Sequence, residues 1–184
     1  MSGARGVRVP VGSDGRPLGR DQQLVSLLAA YQDAVVRSRL LDPVTTELIR
    51  LRCARQHDCR ICQTLRLADA AREGADDALT DQVDHYEQST LSERHKVALR
   101  IVDAMIWRPA DIDAALVGQA REHFSQPEIA EILVDVTKWS TQKIHVTLGT
   151  DGADRLDVNE RGVSYFSFAA DGSVARMGPR IESD

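Results

Sequence analysis

Aromatic side chains are scarce in this sequence, at 4% of its 184 residues, and apolar stretches long enough to cross a bilayer are missing. The first scarcity argues against a core of stacked rings. Alanine, leucine and valine carry most of the 42% hydrophobic content, so aliphatic packing between helices is expected. The second argues against a membrane partner, since a spanning helix needs roughly 18 or more apolar residues. The polar opening from Met1 to Arg20 holds no apolar run of signal-peptide length, so the chain is expected to be cytoplasmic. A basic block is missing as well: 23 Lys and Arg are interleaved with 28 Asp and Glu for a net charge of -5, which argues against nucleic acid as a partner. Cysteine is rare, and three in a chain of this size do not describe a disulfide framework. A C-x-x-C spacing in such a chain reads as redox-active or metal-binding. Zinc would need two further ligands, and His57, His85, His95, His123 and His145 offer no second paired spacing, so neither metal nor cofactor is expected.

The length suits one domain with a proper core, since a second of ordinary size would leave both poorly buried. We read a polar arm over 1–20, a helical domain over 21–151 and an extension over 152–184 that carries a hairpin. Gly3, Gly6, Gly12 and Gly15 with Pro10 and Pro17 suit an arm that is disordered or lies on a neighbouring subunit. Leu24, Leu27, Leu28, Tyr31 and Val35 recur at helical spacing and predict a first helix ending near Leu40. Asp42 before Pro43 signals a start, because the carboxylate accepts from orphan amides and proline costs nothing at the first helical position. This second helix runs to about Arg55 with Val44, Leu48 and Leu51 on one stripe. A third is predicted from residue 58 or 59 to Gly74, a weaker fourth within 75–88, a fifth from Ser92 to Pro109 and a sixth over about 111–124. Ser125, Pro127 and Glu128 open the seventh and longest, which keeps Ile129, Leu133, Val136, Ser140, Ile144 and Leu148 near one face until Gly149. Beyond Gly152, strand-like Val163, Tyr165, Phe166 and Phe168 lead to a turn at Asp171-Gly172 and a return strand over 174–177. A lone hairpin is marginal, so docking on the helical body or on another subunit is expected.

Residues three apart on a helix share a face, so Cys59 and Cys62 can close a disulfide without unwinding the backbone. A thiolate near a helix N-terminus feels the positive end of the macrodipole, and Arg55, Arg60 and Arg66 add charge that favours a depressed thiol pKa. On one continuous helix Arg66 shares a face with both sulfurs. It can hold a thiolate but cannot take its proton, because a guanidinium stays charged. Glu47, on the preceding helix, is the candidate for moving that proton. The plain alternative makes Cys59 and Cys62 small buried residues, Glu47 a solvated carboxylate and Arg66 a surface ion-pair residue. Cys53 reads as core, and His57 and His145 read first as satisfied or partly exposed histidines. Trp107 and Trp139 suit a core, an interface or a pocket wall.

The segment from Glu47 to Cys62, ELIRLRCARQHDCRIC, resembles the active-site segment of the alkylhydroperoxidase D-like and carboxymuconolactone decarboxylase superfamily, where a glutamate precedes C-x-x-C with eleven residues between. The likeness covers about residues 24–151, including TLGTD at 147–151. It implies an all-α, single helical domain of about six to seven helices that assembles into a homo-oligomer, a trimer or hexamer. In the peroxidase branch it implies thiol-dependent reduction of hydroperoxides, with one sulfur oxidised to a sulfenic acid, the other resolving it to a disulfide, and a dithiol protein or small thiol regenerating the pair. Catalytic roles carry over to Cys59, Cys62 and Glu47. That branch also places a histidine four positions past the second cysteine, with three residues between. Here Arg66 stands in that place, which removes the relay's usual base and leaves Arg66, with His57, as a thiolate-stabilising or substrate-binding group. The leading function is an antioxidant oxidoreductase, a peroxidase or disulfide reductase acting on an organic hydroperoxide or small disulfide. The alternative is a non-redox member, carboxymuconolactone decarboxylase-like or an oligomeric small-molecule binder, whose cysteines merely pack.

Overall fold

A computed structural model describes residues 6–14 and 16–181. In chain order these form α1 (Gln22–Val36), α2 (Pro43–Gln56), α3 (Arg60–Thr64), β1 (Leu65–Leu67), α4 (Ala68–Arg72), α5 (Asp77–Thr80), a 3-10 helix (Asp81–Gln88), α6 (Glu93–Trp107), a 3-10 turn (Pro109–Asp111), α7 (Ala114–His123), α8 (Gln126–Ser140), α9 (Lys143–Leu148), β2 (Ser164–Phe168) and β3 (Val174–Gly178).

Helix α2 is the axis. The Asp42 carboxylate accepts from the Thr45 amide at 2.7 Å and Pro43 takes the first position, so the helix starts where its sequence signals it. It packs on both α6 and α8. Ile49 and Cys53 join Val97, Ile101 and Val102 of α6 and Ile132 and Val136 of α8 in the main core. Leu48 and Leu51 turn to a second cluster with Val83, Tyr86, Leu91 and Leu99. Each such apolar side chain contributes about 1.5–3 kcal/mol by burial. Because α2 is covered on both sides, its polar Glu47 and Arg50 are carried indoors too, at 1% and 2% exposure. The other caps follow the same chemistry: Ser92 accepts from the His95 amide, Ser125 and Glu128 form a reciprocal capping box, and a left-handed Gly149 ends α9.

Where local periodicity and structure part, a distant partner is responsible. The third helix is expected to run unbroken to Gly74; instead β1 interrupts it, pairing in parallel with β2 through Leu65 with Ser164, Arg66 with Tyr165 and Leu67 with Phe166. Helix α1 stops at Val36 rather than near Leu40, because the buried Glu131 of α8 captures the Ser38 hydroxyl and the Leu40 and Leu41 amides. The long seventh helix divides into α8 and α9. At the break the Thr141 hydroxyl donates to the Lys138 carbonyl at 2.7 Å and accepts from Gln32 of α1, so a side chain competes with the helical ladder. Leu24 and Leu27 of the expected α1 stripe lie exposed, at 66% and 59%.

The hairpin docks on the helical body: β2 is central, antiparallel to β3 and parallel to β1. Its turn abuts α1, where Arg37 donates to the Asp171 carbonyl at 2.6 Å. Gly172 has φ +89, and a Cβ there would lie 2.1 Å from the Asp33 carbonyl oxygen. Gly172→Ala is therefore expected to lift the turn off α1 at a cost of about 1–3 kcal/mol, read as a lower Tm and faster proteolysis within 169–174. An unchanged Tm would contradict this docking. The arm, from Gly6 onward, runs along its own chain rather than away from it. Arg8 donates from its amide and guanidinium to the Leu148 and Thr147 carbonyls at 2.9 and 3.0 Å, the acceptors that the end of α9 leaves open. Gly3 and Gly15 of the arm, with the remainder of 1–5 and residues 182–184 of the extension, lie outside the described residues.

Candidate active site

The cysteine pair is placed by a sharp corner after α2. Asp58 takes a left-handed conformation with φ 51, the Asp58 amide donates to the Arg55 carbonyl and the Cys59 amide donates to the Ala54 carbonyl. Cys59 then stands at the cap position of α3 and Cys62 one turn along, with their Cα atoms 5.3 Å apart and the sulfurs joined in a disulfide. Cys59 is fully buried and Cys62 is 8% exposed, packed with Ala54, Ile61 and Val146.

The charges around the pair differ from those that spacing suggests. Asp151, buried completely, holds the start of α3: its carboxylate accepts from the Arg60 amide at 3.1 Å and its carbonyl from the Ile61 amide at 3.1 Å. The same carboxylate pairs with the Arg60 guanidinium at 3.0 Å. The positive end of this short helix is thus neutralised by an acid. Arg55 is paired with Asp84 at 2.9 Å. Arg66, lying on β1 and not on the cysteine helix, donates to the Gln63 and Leu65 carbonyls at 2.7 and 2.9 Å, so it does not share one helix face with both sulfurs as its spacing predicts. Burial and then the neighbouring Arg50 charge lower its pKa, and its Nε is buried with no hydrogen-bond partner among the described residues.

Arg50 also sends its guanidinium to the cysteine turn. It donates to the Cys62 carbonyl at 2.8 Å and the Leu65 carbonyl at 2.5 Å, and grips both oxygens of Glu47 at 2.7 and 2.8 Å. Glu47 is therefore buried beside the site but joined to it through Arg50; among the described residues it makes no hydrogen bond to either sulfur. Cys62 opens on a cavity of about 200 Å3 whose walls include Arg50, Lys138, Trp139, Phe166 and Phe168. Lys138, 4% exposed, is drawn down to a pKa of about 7 chiefly by burial, while Asp135, one turn earlier, is pushed up to about 7 by burial and the Glu131 charge. Sequence reasoning missed Arg50, Lys138 and Asp151. Only Arg50 had a local signal, its position three residues after Glu47.

The remaining cysteine and the nearby histidines are placed elsewhere. Cys53 is fully buried in the main core and burial pushes its pKa up to about 12, so it should resist alkylation until the protein unfolds. Rapid labelling of Cys53 in native protein would contradict that placement. His57 caps α2 and pairs with the Ser140 hydroxyl at 3.1 Å. Burial, with Lys143 adding repulsion, lowers its pKa from 6.5 to about 4. A depressed value gives stability that is fully present above the unfolded pKa and is lost as pH falls through the folded one. Stability should decline between about pH 6.5 and 4, and His57→Gln should flatten that limb. Superimposable pH curves for parent and variant would refute the assignment. His145 pairs with Thr150 at 3.2 Å, Trp107 is 63% exposed, and Trp139 walls the cavity. Among the described residues no three His, Cys, Asp or Glu converge as a metal cluster, and no helix is long and apolar enough to cross a membrane.

This arrangement of helices, with a cysteine pair following a buried α2, is the alkylhydroperoxidase D-like fold. It superposes on the crystal structure of a protein of unknown function from Agrobacterium tumefaciens, proposed to be the antioxidant defence protein AhpD, with a TM-score of 0.63 at 19% identity over 78% of this chain and 95% of that one. Two uncharacterized proteins from two strains of Mycobacterium tuberculosis are each 39% identical over 145 residues, covering 78% of this chain and 50% of theirs. The chain thus spans about half the length of the curated relatives it matches. No family model matches it.

Proposed function

We propose that the chain is a thiol-dependent oxidoreductase of the alkylhydroperoxidase D-like superfamily, reducing organic hydroperoxides or small disulfides with Cys59 and Cys62. The observation that carries this reading is the joined pair with Cys62 opening on a cavity walled by aromatic and cationic side chains, while Cys59 is sealed behind it. In the reduced protein the Cys62 thiolate attacks the outer peroxide oxygen; an S–O bond forms, the O–O bond breaks, and the alkoxide leaves as an alcohol after taking a proton. Cys59 then attacks the Cys62 sulfenic acid, water departs and the disulfide forms. A dithiol protein or small thiol restores both thiols by exchange. Arg50, bonded to the Cys62 carbonyl, supplies positive potential beside the nascent thiolate, and Glu47 fixes that guanidinium in place. In this reading Glu47 is a positioning residue, Arg66 adds potential from β1, and His57 supports the turn before Cys59. The Trp139, Phe166 and Phe168 walls suit an organic peroxide better than hydrogen peroxide.

Exposed Leu24 and Leu27 on α1, and exposed Leu133 and Val134 on the α8 that α1 packs against, support assembly into a homo-oligomer, a trimer or hexamer, which light scattering would measure. A cytoplasmic setting fits a pair that must be re-reduced by a thiol pool. The tie between Glu47 and Arg50 favours a second reading, a non-redox binder or lactone-type enzyme, in which the thiols are sluggish. The deciding experiment follows cumene hydroperoxide consumption by the reduced protein with a dithiol donor. Catalytic turnover above the donor's own rate supports the proposal, and consumption no faster than donor alone, for both a hydroperoxide and a small disulfide, overturns it.

A further inference from the structure

Removing an ammonium from water is unfavourable unless ion pairs or hydrogen bonds replace the solvent, so a buried lysine without them calls for an explanation. Lys138 is 4% exposed, and among the described residues no hydrogen bond or ion pair reaches its Nζ. That atom instead lies 3.0 Å from the centroid of the Trp139 ring and 5.6 Å from that of Phe168. All three side chains line the cavity on which Cys62 opens, with Arg50 of α2 in the same wall. The mechanism above, meanwhile, leaves one role unassigned. A group must accept the thiol proton and hand it to the departing alkoxide, and neither guanidinium nearby can do so, since arginine stays charged.

We propose that Lys138 fills that role: its neutral amine takes the proton of the Cys62 thiol, and the resulting ammonium protonates the alkoxide released when the peroxide O–O bond breaks. The proposal rests on the thiol-dependent reading of the site. The balance is complete, because sulfur is oxidised as the outer peroxide oxygen is transferred to it, the inner oxygen leaves as an alcohol with the borrowed proton, and Cys59 later expels water from the sulfenic acid. Burial draws Lys138 down to about 7, where amine and ammonium coexist at neutral pH. Asp135 on α8 and Asp33 on α1 hold the charged form up, and Arg50 on α2 opposes it. From β2 and β3 the cavity receives Phe166, Phe168, Val174 and Met177, none of which titrates.

The first test needs no variant. Lys138 Nζ is titrated by heteronuclear NMR in the whole protein, oxidised and reduced. Reduction creates a thiol able to ionise in the same cavity, and two sites that exchange a proton are coupled, so the Lys138 titration should move by about one pH unit or more between the two states. An identical titration in both overturns the proposal. The second test uses Lys138→Met and Lys138→Arg. In Lys138→Met the alkylation of Cys62 at pH 7 should slow by about tenfold or more with its pH midpoint raised, an effect that a merely structural role would not give. Lys138→Arg keeps a cation and so a low midpoint, yet peroxide turnover should fall on the order of 100-fold because the guanidinium cannot cycle a proton. An unshifted midpoint in Lys138→Met would count against the role as decisively as the NMR result. Should the parent protein turn over neither hydroperoxide nor disulfide while Lys138 still shifts on reduction, the oxidoreductase reading falls and the proton coupling is upheld.

Discussion

Cys62→Ser is expected to lose dithiol-supported peroxide turnover by about a thousandfold or more, because it deletes the sulfur that borders the cavity. Cys59→Ser should differ in kind. It retains the attacking sulfur, so a single equivalent of peroxide is still consumed, and the Cys62 sulfenic acid then persists because its resolving partner is missing. Trapping with dimedone should label Cys62 in that variant and little in the parent, where the disulfide forms first. If Cys59→Ser and Cys62→Ser behave alike, the division of labour between the two sulfurs is wrong. If both equal the parent, the pair is not the redox centre. Cys53→Ser serves as the control, since that thiol is sealed in the core and its pKa is pushed up to about 12.

The second large effect concerns the Glu47–Arg50 pair. Both side chains are at least nine-tenths buried, so removing one leaves an uncompensated charge in the interior; Glu47→Ala or Arg50→Met should each cost about 3–5 kcal/mol. In a chain of this size that is a fall in Tm on the order of 10 °C. Replacing both by leucine should recover most of the loss, because a buried ion pair exchanged for apolar packing is often neutral. The double variant then separates stability from chemistry. If Arg50 supplies the positive potential at Cys62, thiol alkylation at neutral pH remains slow in the double variant even where Tm has returned. Parental alkylation rates in a stable double variant would show that the pair serves the fold alone.

What the sequence makes legible follows the range of the interactions. The caps at Asp42, Ser92 and Ser125 and the stop at Gly149 are read correctly because each is settled within one helical turn. The all-α body and the hairpin turn at Asp171-Gly172 were legible for the same reason. Local pattern carries helix α3 on to Gly74 because the strand that ends it has its partner at Tyr165, far along the chain from Arg66, and nothing local announces a parallel pairing. The same long-range pairing takes Arg66 off the cysteine helix and away from the face that its spacing shares with the sulfurs. Arg50 stood in view three residues after Glu47, but such a spacing ordinarily marks a solvated salt bridge on a helix surface. Only the burial of α2 between α6 and α8 turns it into an internal clamp. Lys138 and Asp135 share that history, charged residues one turn apart on a helix whose buried face includes them. Asp151 reaches Arg60 across 91 positions.

The central claim is that Cys59 and Cys62 are one redox unit whose outer sulfur meets substrate. Its most direct measurement treats the fully reduced chain with a single equivalent of cumene hydroperoxide, blocks remaining thiols under denaturing conditions and determines mass and cysteine connectivity. The account predicts rapid loss of two hydrogens, a bond between Cys59 and Cys62, and Cys53 recovered as the blocked thiol. Three blocked cysteines with the peroxide unconsumed would contradict it, and so would oxidation that falls on Cys53.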